Sequence, residues 1–448
     1  MIVVMLALVG GAVDVFPSSV IPHPGRVALS IMIIAATLWI TELVPLFVTS
    51  LIILVLSESW LQRALEAHGT PVDPATFTAP FFSDVILLFL GGFIISSALH
   101  KYALDRRMAR AVLRRTGRSV PMLVLGIMMI TAGLSMWLSN TATAAMMMSL
   151  CLPIVQRLPS GDRSRVAILL AVPFAANIGG MGTPIGSPPN AIALQYLKDI
   201  GGGPTFLTWM LIAIPLMVIM LIVAWILLIA LARGGTTTVP PDGDDGHRPT
   251  PLTPKAWTIV AITLLTVAGW LSGGEHGLSV GTVALLPVIT FFSVGILTID
   301  DFRGLAWDIL LLMGGGLCLG RVIAVSGLAD WALTMLPADD HALIMLASVC
   351  CIMACAMSLV MSNTATANLV MPILMGMGTD VVPPLLIAVA MSCTLAMGLP
   401  VSTPPNAIAF SSGELAVRDL VKPGMALTGI GIALLLTLGL AVMHIVGV

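Results

Sequence analysis

The residues able to do chemistry in this chain are hydroxyls and amides rather than charges. The run SNTATA occurs at Ser139 and again at Ser362, and the run PPNAIA at Pro188 and again at Pro404. Ser, Asn and Thr are favoured helix N-caps, because their side chains accept from free backbone N–H groups. Proline is tolerated at the first helical position, where its missing N–H costs no bond. Each motif therefore predicts a helix starting part-way through an apolar stretch. Four such starts, each carrying about half a positive charge, make a place for an anion. The same segments supply neutral oxygens: Ser139, Asn140 and Thr141 in one, Ser362, Asn363 and Thr364 in the other. Ser135 and Ser358 lie four residues earlier, on the same helical faces as Ser139 and Ser362. With the carbonyls freed by breaks at Gly186 and Ser402, they form two cages suited to a hard monovalent cation. Two cations balance one dianion, so neither cage needs a carboxylate.

A single Ser-Asn-Thr in a membrane helix is ordinarily interhelical hydrogen bonding, worth about 0.6 kcal/mol. Two copies, each followed by a Pro-Pro-Asn break, favour a site. A serine nucleophile would need a base nearby, and neither polar stretch contains His, Asp or Glu.

The elements that position these groups are set by composition. Of 448 residues, 58% are hydrophobic and only 9% charged, with a mean hydropathy of +1.06. Soluble domains have roughly a quarter of their residues charged, so this is an integral membrane protein. Apolar runs such as Ile31 to Leu56 and Trp209 to Ala232 lack period-two alternation, which makes helices the spanning element. The six cysteines read as small buried hydrophobes, the seven histidines fall at span ends or in loops, and no basic tract suggests nucleic acid. Met1 to Phe16 lacks a basic n-region and a small-residue cleavage site, and reads as a short first span.

The chain repeats itself. DVILLFLGGF from Asp84 matches DILLLMGGGL from Asp308, SMWLSNTATA from Ser135 matches SLVMSNTATA from Ser358, and MGTPIGSPPNAIA from Met181 matches MGLPVSTPPNAIA from Met397. The offsets are 224, 223 and 216 residues, nearly constant and in one order. An internal repeat of this kind predicts two structurally related halves.

Basic residues orient the halves. The cluster from Lys101 to Arg118 and the group Arg157, Arg163 and Arg165 both belong on the cytoplasmic side. The uncharged stretch between them goes in and returns, as two short spans or, on the better reading, as a re-entrant hairpin. The loop 330–341 has acids but no Lys or Arg and falls outside, so the second uncharged hairpin enters from the opposite face.

The expected fold is all-α and integral to the membrane, with about 11 transmembrane helices, two opposed re-entrant hairpins and inverted five-helix repeats. Residues 1–27 form the first span and its connection. Residues 28–232 form the first repeat, with a cytoplasmic-side hairpin at 119–158. Residues 233–255 form a cytoplasmic linker, and 256–448 the second repeat, with an outer-side hairpin at 342–378. The chain is then a multi-pass inner-membrane protein with its N-terminus cytoplasmic and its C-terminus outside. Glu42 is the one acid deep in the second expected span, near a bend before Pro45. Asp84 and Asp308 are expected to cap the starts of spans.

These motifs, with LWITELVPLFVTSL at 38–51, resemble the divalent anion/sodium symporter family, carriers of dicarboxylates, citrate and sulfate. The likeness covers nearly the whole chain. It implies a homodimer, each protomer divided into a scaffold and an elevator-type transport domain. It implies at least two sodium sites and no organic cofactor: one at Ser135, Ser139, Asn140 and the Gly186 carbonyl, the other at Ser358, Ser362, Asn363 and the Ser402 carbonyl. It further implies that a small dianion is bound by Ser139, Asn140, Thr141, Ser362, Asn363 and Thr364, with Ser187, Thr403 and Pro404 alongside. Ser358 stands where many relatives carry Thr, and Ser402 where a smaller residue is common. Two intact SNT motifs resemble the bacterial C4-dicarboxylate branch, with succinate or malate as substrate and import driven by sodium. A sodium-independent dicarboxylate exchanger, or a carrier of citrate or sulfate, is the alternative on the same fold. A proton-coupled carrier would want an ionisable group in the hairpins, which have none. A membrane enzyme and a channel are the remaining readings.

Overall fold

A computed structural model describes residues 21–201, 203–240, 251–333, 340–375 and 382–447. The expected first span, residues 241–250 of the linker, part of the loop 330–341 and the end of the second hairpin lie outside these residues. Among the described residues the regular structure is helical.

Among the described residues, seven helices are long and apolar enough to cross a membrane. They are α1 (His23–Thr41), α2 (Leu46–His68), a third whose main part is α3 (Asp84–Lys101), α9 (Phe206–Leu231), α10 (Pro254–Leu271), α12 (Trp307–Val325) and α17 (Val417–Val446). A shorter apolar helix is α11 (Val280–Ser293). The two Pro-Pro-Asn breaks each fall between two helices, α7 (Arg163–Gly180) and α8 (Pro188–Asp199), and α15 (Val382–Thr394) and α16 (Pro404–Ser411). The two polar stretches are helix–break–helix units: α5 (Val120–Ser135) with α6 (Asn140–Val155), and α13 (Asp340–Ser358) with α14 (Asn363–Leu374).

Local chemistry explains where these helices begin. Thr205, Thr253 and Ser279 accept from the third N–H of α9, α10 and α11 at 3.1, 3.2 and 3.1 Å. Asp84 sits in the first turn of α3, yet its carboxylate caps a neighbour, accepting from the Gly281 N–H at 2.9 Å and from the Ser279 hydroxyl. Glu42 corrects the expectation of an acid deep in a span. It lies in the break between α1 and α2 at φ 49°, and is exposed.

The amphipathic helix α4 (Leu104–Leu113) buries Leu104, Asp105 and Ala109 and exposes Arg106 and Arg110. Arg110, Arg114, Arg118 and Arg157 line one cleft of about 600 Å³, so both ends of the segment 119–158 open on the same side. The first linker residues rest there, with Val239 N–H donating to the Arg118 carbonyl at 2.9 Å and Val120 N–H to the Thr237 carbonyl at 2.9 Å. Asp162 fixes them to α7 by accepting from Thr236 N–H at 3.0 Å and Ser164 N–H at 2.8 Å. Burial alone would raise the Asp162 carboxyl, but these bonds and that from the Thr236 hydroxyl outweigh it and hold it below the usual value.

Candidate functional site

Both polar breaks and both proline breaks open into one cavity of about 920 Å³. Asn140, Pro188, Asn363 and Pro404, the first residues of α6, α8, α14 and α16, all line it. Four helix N-termini therefore face one space. Of the residues proposed from sequence, Ser139, Asn140, Thr141, Gly186, Ser187, Ser362, Asn363, Thr364, Ser402, Thr403 and Pro404 are in its wall. Ser135 and Ser358 are not; each is fully buried behind its asparagine. Among the described residues, the charged side chains in the wall are Glu42 and Asp308, and no Lys, Arg or His lines it.

The caps are unequal. Ser362 accepts from Ala365 N–H at 3.1 Å and Thr403 from Asn406 N–H at 3.3 Å. Ser139 and Ser187 occupy the same positions without a side-chain cap bond. Ser187 Oγ instead lies 3.4 Å from Thr394 Oγ1, whose own proton has the Ala390 carbonyl at 3.2 Å.

Behind each cap the two halves repeat one arrangement. Ser135 Oγ lies 2.5 Å from Asn140 Oδ1 and 2.8 Å from the Ala176 carbonyl oxygen. Ser358 Oγ lies 2.6 Å from Asn363 Oδ1 and 3.0 Å from the Cys393 carbonyl oxygen. A hydroxyl carries one proton. It can serve one of its two oxygen neighbours, which leaves the other pair facing lone pair to lone pair. A cation among the three oxygens relieves that repulsion. The donor set is hydroxyl, amide and carbonyl oxygen throughout, which suits a hard ion.

The asparagine at the third position of each proline motif holds the break open. Asn190 Nδ2 donates to the carbonyls of Gly180 and Thr183 at 2.9 and 2.8 Å. Asn406 Nδ2 donates to the carbonyls of Met397 and Leu399 at 3.1 and 2.9 Å and to Ser402 Oγ at 3.3 Å. Carbonyls freed from the helix ladder are thus secured by an amide, as buried polar backbone requires. Gly180 and Gly186 are needed for space. A Cβ on Gly180 would lie 2.5 Å from Asn140 Nδ2, and one on Gly186 would lie 2.5 Å from the Gly180 carbonyl oxygen.

Sequence reasoning quoted Asn190 and Asn406 within their motifs without giving them a role, and missed Asn177 and Thr394 entirely. Both of the latter are 1% exposed. Asn177 follows Ala176 and Thr394 follows Cys393, the two carbonyl donors above. The signal was obscured by one extra residue in the first half, which has four steps from Asn177 to Met181 against three from Thr394 to Met397.

Comparison with known proteins identifies the family and the fold. The family described as the sodium:sulfate symporter transmembrane region matches residues 1–448. A sodium-dependent dicarboxylate transporter, SdcS, of Staphylococcus saprophyticus is 32% identical over 439 residues, covering 89% of this chain and 82% of the relative. SdcS of Staphylococcus aureus is 31% identical over 441 residues, covering 90% and 83%. An uncharacterized transporter, C3B8.04c, of Schizosaccharomyces pombe is 30% identical over 452 residues, covering 94% of this chain, which spans 50% of that relative's length. Among solved structures, the YdaH transporter of Alcanivorax borkumensis shares the fold with a TM-score of 0.54 at 14% identity, covering 94% of this chain and 98% of that one. MtrF of Neisseria gonorrhoeae also has a TM-score of 0.54, at 11% identity and 81% coverage of each. These proteins are transporters, not enzymes.

Proposed function

Because the chain belongs to the sodium:sulfate symporter transmembrane family, we propose that it imports a divalent anion with sodium, and that the anion is a C4-dicarboxylate such as succinate or malate. The observation that carries this reading is the cavity itself: four helix N-termini and two sets of neutral oxygens face a space whose charged side chains, among the described residues, are the acids Glu42 and Asp308. A dianion entering alone meets Glu42 and Asp308 and finds no cationic side chain. With one sodium ion in each cage, its two charges are balanced at the two ends of the site.

Ser135, Ser139, Asn140 and the Gly186 carbonyl hold one ion; Ser358, Ser362, Asn363 and the Ser402 carbonyl hold the other. Asn140, Thr141, Asn363 and Thr364 bind the carboxylates, with Ser139, Ser362, Ser187, Thr403 and Pro404 completing the wall. The printed names of the two SdcS relatives, sodium-dependent dicarboxylate transporters, favour dicarboxylate over sulfate. A tenfold sodium gradient contributes about 1.4 kcal/mol per ion. Each net positive charge carried inward adds about 2.3 kcal/mol per 100 mV.

The segments 119–158 and 342–378 act as opposed re-entrant hairpins in inverted repeats, with the N-terminus cytoplasmic and the C-terminus outside. The common cleft at both ends of the first supports this for 119–158. Movement is of the elevator type within a homodimer. The face of α12 supports a sliding contact, since Gly316 and Gly320 let Asn368 of α14 and Tyr196 of α8 approach closely. Few bonds cross it: Asn368 Nδ2 to the Leu312 carbonyl at 2.9 Å and Tyr196 Oη to the Gly316 carbonyl at 2.8 Å. Two ion pairs at the end of α8, Lys198–Asp84 at 2.8 Å and Arg321–Asp199 at 2.9 Å, would break and reform with each stroke. Such partly exposed pairs are worth about 1 kcal/mol or less, which suits a contact that must exchange.

The test is uptake of labelled succinate into proteoliposomes with and without an inward sodium gradient, with malate, citrate and sulfate as competitors. Sodium-driven accumulation blocked by malate is the expected result. Sodium-independent exchange, or block by sulfate alone, would overturn the proposal.

A further inference from the structure

A chain of buried polar contacts runs between the two cation cages. On one side, Ser135 Oγ touches both Asn140 Oδ1 and the Ala176 carbonyl. The next residue, Asn177, crosses to the other half, where its Nδ2 donates to Thr403 Oγ1 at 3.0 Å and to Asn406 Oδ1 at 3.2 Å. Asn406 is the amide that holds Met397, Leu399 and Ser402 in the second break. In the opposite sense, Ser358 Oγ touches Asn363 Oδ1 and the Cys393 carbonyl. The next residue there, Thr394, crosses back: its Oγ1, which has the Ala390 carbonyl at 3.2 Å to donate to, lies 3.4 Å from Ser187 Oγ, beside Gly186 in the first break, and can accept from the Ser187 hydroxyl.

We propose that Asn177 and Thr394 are positioning residues that couple the two cages, so that a cation bound in one pre-orders the other. The proposal rests on the two-cage reading above. Each cage draws one oxygen from a non-helical break, and ordering such backbone has an entropic cost. A cation in the first cage fixes Ser135, Ala176 and hence Asn177, whose two bonds hold the cap and the clamp of the second break in place. A cation arriving there then meets a loop already ordered, which is positive cooperativity. The coupling is reciprocal by linkage, so the path through Thr394 must favour the first cage by the same factor. Two amide bonds near 3 Å against one hydroxyl bond at 3.4 Å make Asn177 the stronger of the two links.

Equilibrium binding of radioactive sodium to the purified full chain, without dicarboxylate, reads the coupling directly. A binding isotherm, unlike a transport rate, is sigmoidal only when sites interact. The wild type should give a Hill coefficient above one. Asn177→Leu should bring it to about one, Thr394→Val should lower it part of the way, and Thr394→Ser, which keeps the hydroxyl, should leave it unchanged. In a second arm, disabling the second cage with Asn363→Ala should weaken sodium at the first by about fivefold or more in the wild-type background, but by less than about twofold with Asn177→Leu. An unchanged Hill coefficient in Asn177→Leu, a non-cooperative wild type, or equal loss in Thr394→Ser and Thr394→Val would overturn the coupling alone. A wild type that binds no sodium would overturn the two-cage reading and the coupling with it.

Discussion

Replacing Asn140 or Asn363 by alanine abolishes sodium-driven uptake. Each asparagine is the first residue of a helix facing the cavity, and its Oδ1 lies 2.5 or 2.6 Å from the serine hydroxyl of the same cage. Alanine removes that oxygen while keeping a good helix former, so the fold is retained. The lost contact is to a charged partner and worth about 1.5–3 kcal/mol. That weakens sodium binding roughly 10- to 150-fold. Because the same residue also faces the anion, substrate affinity falls with it. Labelled-succinate uptake in proteoliposomes checks this, and wild-type rates in both variants would contradict the site.

Gly180→Ala disables the first cage without altering any of its ligands. The added Cβ would sit 2.5 Å from Asn140 Nδ2, 2.6 Å from Oδ1 and 2.9 Å from Cγ, closer than carbon atoms tolerate. Gly180 ends α7, and its carbonyl is held by Asn190 at 2.9 Å, so the backbone there resists moving. The Asn140 amide gives way and turns its oxygen from the cage. Sodium affinity at the first site should fall about tenfold, the equivalent of 1.4 kcal/mol, and the second site, coupled to it, should weaken by a smaller factor. Gly133→Ala, where a Cβ meets nothing within 4 Å, is the control and should transport normally. Equal sodium isotherms for the two variants would contradict the geometry.

Much of this was legible in the sequence because the site is built from motifs written twice. The polar runs predicted helix starts, and Asn140, Pro188, Asn363 and Pro404 are helix starts around one cavity. What escaped was contact between residues remote in sequence. Pro45 signals a bend near Glu42, but the apolar run does not show that the break leaves Glu42 exposed at the cavity wall. Asp84 begins a helix, so it reads as that helix's own cap; only packing shows it bonding to Gly281, 197 residues away. Asn177 and Thr394 were hidden because they are not the same residue type and because one additional residue in the first half shifts the alignment between them. A repeat reveals what both copies keep, and these two positions keep a role rather than an identity.

The central claim is that the two cages carry sodium together with one dianion. The measurement that tests it most directly is simultaneous flux of radioactive sodium and labelled succinate in one proteoliposome preparation. At least two sodium ions should enter with each succinate, and both fluxes should be lost together in Asn140→Ala. Succinate entering in exchange for internal succinate, with no sodium flux above that of protein-free vesicles, would contradict it.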